Sequence, residues 1–293
     1  MPFFDHSACA DPMYVSVRDR PQLRWGRRYT ETLWSLYRRY ADTNFLREAS
    51  LHFHERFWEM YVGVAFLRTG LPVTKSGDTG PEFAVKIGAR RFWVEAAAPS
   101  AGDGPERVPE EPDDDAGIVP PTDKILLRFT HCLLEKQRKR DAAVAKGIIG
   151  IDDGYILAIN SRAIPHAAFG HVPPFPVRAF LPFGQQYLRY DILSGTTVES
   201  GFARRNFIEK ANNSQVSTAA FLDPSYSWVS AVLHSAVDPI NFPRRLGHDF
   251  ELIHNPSATP PLPPEPFNKW PQWSFDISTS QLAYYEPPTR NRG

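Results

Sequence analysis

The residues best suited to chemistry are two glutamates in one short stretch, GPEFAVKIGARRFWVEAAAP at residues 80–99. Runs of β-branched and aromatic residues on either side of Gly88 predict two strands joined by a tight turn, with Glu82 beginning the first and Glu95 near the end of the second. Glu95 stands among apolar residues, where an ionised carboxylate is unfavourable unless something compensates its charge. A divalent cation shared by Glu82 and Glu95 would do so. The alternatives are a surface position for Glu82 at a sheet edge and an ion pair between Glu95 and Arg91.

Two lysines could act with this pair. Lys86 shares the face of Glu82 on the first predicted strand. A helix predicted from Thr122 to about Lys146 carries an apolar stripe that Lys136 continues, so Lys136 could reach over the strand ends. The alternative for Lys136 is a stem that lies along apolar surface while its ammonium stays in water. The stripe consists of Ile125, Leu126, Phe129 and Leu133.

A further carboxylate candidate precedes the hairpin. One helix is predicted from about Asn44 to Thr69, ending at Gly70, and Glu55 and Glu59 are neighbours on one partly apolar face of it. Glu59 could therefore face a site. The alternative is a solvated face, on which Glu55 pairs with Arg56 or with a lysine elsewhere.

Two groups of cations could contact phosphates. The chain has 33 basic and 33 acidic residues, so any surface that binds nucleic acid must be local. The first group lies near the end of the predicted helix and could instead be a run of solvated charges, and the second lies in a polar, turn-rich segment. The two groups are Arg138, Lys139 and Arg140, and Arg204, Arg205 and Lys210.

The order of predicted elements indicates an α/β fold with a mixed central sheet flanked by helices. After the helix at 122–146, the apolar run at 155–160 is typical of a strand buried on both faces. The core therefore has the order helix, three strands, helix, strand. Two later runs, 227–235 and 249–254, predict strands that extend the sheet, and the proline-rich residues 256–275 predict an extended arm.

These elements divide the chain into three segments. Residues 1–43 form an N-terminal helical extension, residues 44–165 the α/β core, and residues 166–293 a β-rich extension that packs on the core as one structural unit.

Residues 45–160 resemble the PD-(D/E)XK nuclease superfamily, which has the restriction-endonuclease-like fold with an αβββαβ core. The first half of its motif matches Pro81-Glu82 and the second half matches Glu95-Ala96-Ala97. Ala97 stands where the family has its lysine. In some members that lysine comes from a neighbouring element, so the resemblance implies Lys136 or Lys86 in its place.

The resemblance implies a nuclease that hydrolyses phosphodiesters of DNA or RNA with Mg²⁺ or Mn²⁺. Glu82, Glu95 and the backbone carbonyl of Ala96 would hold the ion, with Glu59 a further candidate, because hard cations select oxygen ligands. Lys136 or Lys86 would activate the attacking water or stabilise developing charge. Loss of the motif lysine leaves an alternative, a catalytically inactive nuclease-fold protein that binds nucleic acid or a protein partner.

The remaining sequence features concern location and assembly. Two widely separated cysteines, Cys9 and Cys132, and an N-terminus without a signal-peptide pattern predict a reducing, cytoplasmic setting. No apolar run approaches the roughly 20 residues needed to cross a bilayer, so no membrane association is expected. Nucleases that cut both strands often work as symmetric dimers, so the resemblance also allows a homodimer.

Overall fold

The protein is a mixed α/β fold built on one eight-stranded sheet, as the sequence predicts. A computed structural model describes residues 1–5, 11–77, 80–110, 119–168 and 170–288. The helices are α1 (Pro12–Asp19), α2 (Arg24–Tyr37), α3 (Phe45–Ala49), α4 (Phe53–Arg68), α5 (Thr122–Ala145) and α6 (Phe175–Phe180). The strands are β1 (Val73–Lys75), β2 (Phe83–Ile87), β3 (Arg90–Ala97), β4 (Gly154–Asn160), β5 (Phe183–Tyr190), β6 (Thr197–Arg204), β7 (Phe207–Glu209), β8 (Gln215–Ser217), β9 (Ala231–Ser235), β10 (Glu251–His254), β11 (Gln272–Asp276) and β12 (Gln281–Tyr285).

The main sheet has the strand order β1-β2-β3-β4-β9-β10-β11-β12. The first three strands form an antiparallel meander, and β3, β4 and β9 run parallel to one another. Beyond β9 the pairings are antiparallel, parallel and antiparallel in turn. The predicted core order of helix, three strands, helix and strand is confirmed as α4, β1 to β3, α5 and β4. Two separate hairpins, β5 with β6 and β7 with β8, lie outside the main sheet.

Apolar cores cover both faces of the sheet. Alternation along β3 sends Phe92 and Val94 into the core that contains α4, and Trp93 into the opposite core, which contains α5. Every residue of β4 is buried, which agrees with a strand between two covered faces. The two helices that flank the hairpin β2–β3 therefore lie on opposite faces of the sheet.

The sequence predicts one helix from about residue 44 to residue 69, and this prediction is wrong. The structure has two helices, α3 and α4, separated by a non-helical turn at residues 50–52. A distant residue stabilises the break. One Asp11 carboxylate oxygen accepts a hydrogen bond from the Phe53 N–H at 2.9 Å, and the Asp11 N–H donates to the Ser50 carbonyl at 3.1 Å. Asp11 thus caps the first backbone N–H of α4, which has no partner within the helix.

The prediction of an extended arm over the proline-rich residues 256–275 is wrong for its last residues, which form a strand. Residues 272–276 form β11, which pairs with both β10 and β12 inside the main sheet. Trp273 on this strand is buried and donates from its indole N–H to Glu251 at 2.5 Å. Residues on either side of position 165 thus belong to one sheet, since β4 and β9 are neighbours.

None of the helices in the described ranges combines the length and the apolarity needed to span a membrane.

Candidate active site

A cleft of about 870 Å³ opens where β3 ends and the chain leads into β2. Helix α4 contributes one wall and α5 contributes another. Both helices therefore meet the hairpin β2–β3 at this cleft. The sequence-predicted site residues that line this cleft are Glu59, Glu82, Glu95, Ala96, Lys136, Lys139 and Arg140.

Strand pairing brings Glu82 and Glu95 together. Phe83 pairs with Val94, and the Glu82 N–H donates to the Val94 carbonyl at 3.0 Å, so Glu82, just before β2, lies beside the residue that precedes Glu95. Both glutamates line the cleft. Two carboxylates that share a site are unfavourable when both are ionised without a compensating cation.

Lys136 supplies one cation. Its ammonium binds Oε1 of Glu95 and lies 3.4 Å from the backbone carbonyl oxygen of Ala96. Helical spacing explains this reach, because Lys136 continues the buried stripe of Phe129 and Leu133 across the sheet. Both side chains are largely buried, at 12% exposure for the lysine and 7% for the glutamate. Burial opposes the charged form of Lys136, but the Glu95 carboxylate outweighs it and raises the lysine pKa.

Glu59 is held by its own partners on the opposite face. Its Oε1 accepts from the Tyr37 hydroxyl at 2.7 Å, and its Oε2 binds the Arg56 guanidinium at 2.6 Å. Burial raises the pKa of Glu59, and Arg56 and Tyr37 oppose that rise. The ring of Tyr37 fits because of Gly63, one turn after Glu59; a Cβ there would lie 2.3 Å from Cε2 of Tyr37.

Glu82 differs from both neighbours because its carboxylate makes no hydrogen bond or ion pair within the described ranges. The residue is partly accessible from the cleft, while protein atoms surround its carboxyl group. Burial raises the pKa of Glu82 well above its usual value, and the charges of Glu59 and Glu95 raise it further. Lys136 and Arg56 only partly offset this rise. The cleft therefore contains one carboxylate whose charge the protein does not balance.

The α5 side of the cleft carries further cations. Lys139 and Lys146 are exposed, and no described acid forms an ion pair with either. Arg140 pairs with Asp141 at 3.1 Å and lies over the ring of Trp228. We call the α5 side the basic wall, because Lys136, Lys139, Arg140 and Lys146 line it against one acid of that helix, Glu135.

The other predicted site residues lie elsewhere. Lys86 is exposed and lies opposite Arg91 in the strand register. It does not line the cleft, since it lies four residues along the chain from Glu82. Arg138 is also exposed and outside the lining. The helical periodicity that turns Lys136 inward turns Arg138 away.

The second predicted cation group is not at the cleft. Arg205 forms an ion pair with Asp123 in the first turn of α5, about 20 Å along the helix from Lys136. Arg204 lies over Phe183, and Lys210 lies in the turn after β7. These three residues belong to the two outer hairpins.

Sequence reasoning missed Tyr37 as a site residue and did not pair Arg56 with Glu59. The three-residue spacing of Arg56 and Glu59 on one helix was a usable signal for an ion pair. Tyr37 comes from the preceding helix, and no local pattern marks it. Asp42, 3.6 Å from Arg56, extends the network to the cleft edge.

The chemistry of the donor set fits a hard divalent cation. Glu82 is an unbalanced carboxylate beside Glu95 and a backbone carbonyl, and oxygen ligands of this kind select Mg²⁺ or Mn²⁺. The spacing as it stands is more open than a formed metal site, because no three His, Cys, Asp or Glu side chains in the described ranges are placed to hold an ion together. A bound ion would thus need the acids to move closer together.

Comparison with known proteins found no matching family model, no matching curated protein and no matching solved structure.

Proposed function

We propose that this protein is a divalent-metal-dependent nuclease that hydrolyses phosphodiester bonds of nucleic acid in the cleft between α4 and α5. The observation that carries this proposal is the unpaired Glu82 carboxylate, which shares the cleft with the Lys136–Glu95 pair. The αβββαβ order of the core, with the two acids on its central hairpin, supports a restriction-endonuclease-like arrangement.

The residues that would hold Mg²⁺ or Mn²⁺ are Glu82, Glu95 and the carbonyl oxygen of Ala96, with Glu59 completing the set from α4. Such an ion, when bound, lowers the pKa of a water molecule and offsets charge on phosphate oxygens.

Lys136 takes the place of the motif lysine, whose position in this sequence is occupied by Ala97. Because the Glu95 carboxylate raises the pKa of Lys136, its ammonium is charged at neutral pH. A charged ammonium cannot accept a proton from water, so of the two roles the resemblance allows, its role here is electrostatic. It orients Glu95 and stabilises negative charge on the phosphoryl oxygens.

The remaining residues orient and bind. Arg56 and Tyr37 hold both oxygens of Glu59 in place, which fixes the third carboxylate before substrate arrives. Lys139 and Lys146 present unpaired ammonium groups on the basic wall, where they would bind phosphates that flank the reacting one.

A second function, nucleic-acid or protein binding without catalysis, rests on a different observation. Lys136 and Arg56 already neutralise Glu95 and Glu59 within the protein, so two of the three acids need no metal. On this interpretation the ion pairs are structural and Glu82 remains protonated.

Cleavage assays with matched variants separate the two functions. The substrates are end-labelled single-stranded and duplex DNA and RNA, with Mg²⁺, Mn²⁺ or chelator. We expect metal-dependent cleavage by the wild type, and at least about a 100-fold loss in Glu82→Gln, Glu95→Gln and Lys136→Met.

Glu209→Gln and Lys86→Met serve as controls, because both residues are exposed and outside the cleft. They should cleave as the wild type does. No cleavage by the wild type, together with no Mn²⁺ binding in calorimetry, would reject the nuclease and leave the binding function.

A further inference from the structure

The outer face of α2 and its flanking turns carry an excess of positive charge in a chain that is neutral overall. Residues 18–40 contain seven arginines and only two acids. Both acids are occupied, since Asp19 pairs with the preceding arginine and Glu31 accepts hydrogen bonds from the backbone N–H groups of Phe3 and Phe4. Arg24, Arg28 and Arg39 form no ion pair with any acid in the described ranges, so their charges are available to a partner.

Trp25 lies in the middle of this charge. Its side chain is 60% exposed, whereas large aromatic residues are mostly buried on average. The guanidinium carbons of Arg24 and Arg28 each lie 5.6 Å from its ring centroid, within the range of cation–π contact. The next residue, Gly26, is buried, and a Cβ there would lie 2.1 Å from the Pro239 carbonyl oxygen, so close packing holds this turn of α2 with Trp25 outward.

The exposed stripe of α2 leads from Trp25 to the cleft. Arg28 and Leu36 follow at helical spacing, Arg39 lies in the turn after the helix, and all three are exposed. Arg39 lies over the ring of Tyr40 and donates to its hydroxyl at 2.8 Å, and Tyr40 lines the cleft. The helical part of this track, from Trp25 to Tyr37, is about 18 Å long at a rise of about 1.5 Å per residue.

The chemistry of the track matches an unpaired strand. An indole ring offers a stacking face to any base that is not already stacked in a duplex, and arginines on either side match the phosphates that flank such a base. An uncharged lipid surface or an apolar protein surface would leave these arginines without counter-charges, and neither would supply the regularly spaced bases that an exposed indole stacks on.

We infer that the outer face of α2, with Trp25 as stacking platform between Arg24 and Arg28, binds single-stranded nucleic acid and leads it to the cleft. The inference rests on the proposed nuclease function for what happens in the cleft, but the binding itself needs neither metal nor catalysis.

Fluorescence anisotropy with a labelled 12-nucleotide single strand, in chelator and across a salt series, tests the platform. Trp25→Ala should weaken binding by about fivefold to 150-fold, which corresponds to one lost base–aromatic stack, and Trp25→Phe should restore most of the affinity. Arg24→Ala with Arg28→Ala should flatten the slope of log affinity against log salt by about 1.4, if each arginine neutralises one phosphate.

The control pairs exposed arginines at the turn end of β3. Arg90→Ala with Arg91→Ala should change single-strand binding and its salt slope little, since this end of the strand is opposite the cleft. Circular dichroism and thermal melts verify that each variant is folded.

The outcomes separate this inference from the nuclease proposal. Loss of single-strand binding in Trp25→Ala supports the platform even if the wild type cleaves nothing. Undetectable single-strand binding by the wild type at low salt, equal binding by Trp25→Ala, or equal effects of the two arginine pairs would overturn it. Any of these three results would leave metal-dependent cleavage, if seen, intact.

Discussion

Replacing Glu82 by glutamine should make the metal-free protein more stable at neutral and alkaline pH, although the change removes a residue of the candidate active site. Burial, together with the charges of Glu59 and Glu95, raises the pKa of Glu82 well above its usual value near 4.5. The folded protein therefore keeps a proton on Glu82 at pH values where the unfolded chain has already lost it. Because the folded state binds more protons, the free energy of unfolding falls as pH rises through this window.

The size of the effect follows from one proton. Within the window between the unfolded and folded pKa values, the wild type loses up to about 1.4 kcal/mol of stability per pH unit from Glu82. Glutamine does not titrate, so Glu82→Gln lacks this loss. The raised pKa values of Asp249 and Glu251 also contribute a downward slope, but they are common to both proteins and cancel in the difference.

Urea unfolding at half-unit steps from pH 5 to pH 8, in chelator, measures the difference. The curves of wild type and Glu82→Gln should diverge with rising pH, and Glu209→Gln should follow the wild type because that side chain is exposed. Added Mg²⁺ should stabilise the wild type more than Glu82→Gln, by about 2.7 kcal/mol at 100 times the dissociation constant. Parallel pH profiles, or a variant less stable than the wild type at pH 8, would refute the conclusion that burial and the neighbouring acids raise the pKa of Glu82.

Three further predictions concern other parts of the structure. Lys136→Met should cost about 3 kcal/mol of stability, because it leaves the carboxylate of Glu95, a residue 6% exposed, without its cation. In a double-mutant cycle measured by urea unfolding, adding Glu95→Gln should recover most of that loss. Gly63→Ala should destabilise the fold by about 1–3 kcal/mol and displace the Tyr37 ring; unchanged thermal stability would contradict the close approach of the two residues. Burial raises the pKa of the Cys132 thiol to about 12. In a variant whose other cysteine is changed to serine, we therefore expect iodoacetamide at pH 8 to label Cys132 only as fast as the protein unfolds. Rapid labelling of the folded protein would show that the thiol is accessible.

Periodicity was sufficient to predict the core around the hairpin. The alternation on either side of Gly88 is local, and so is the 3.6-residue stripe that runs into Lys136, so the two strands and α5 follow from short stretches of sequence. These two patterns alone place Glu82, Glu95 and Lys136 near one another. Their catalytic roles remain predictions.

Long-range contacts explain what the sequence did not reveal. The break before α4 depends on Asp11, which is 42 residues away from the amide that it caps. The hydrogen bond from Tyr37 to Glu59 depends on the packing of α2 against α4, where Gly63 makes room. By contrast, β11 carried a local signal in the alternation of Trp273 and Phe275, which the surrounding prolines obscured.

The position of β4 in the sheet has a consequence for synthesis and proteolysis. All the acids of the cleft and Lys136 precede β4, yet the strand that covers its far edge, β9, is made only at Ala231–Ser235. Until β9 arrives, the nascent chain presents an unpaired apolar strand edge, the kind of surface on which chains aggregate. Cleavage of the finished protein between residues 166 and 230 that released the C-terminal half would therefore uncover the same edge of β4 without removing any carboxylate of the cleft.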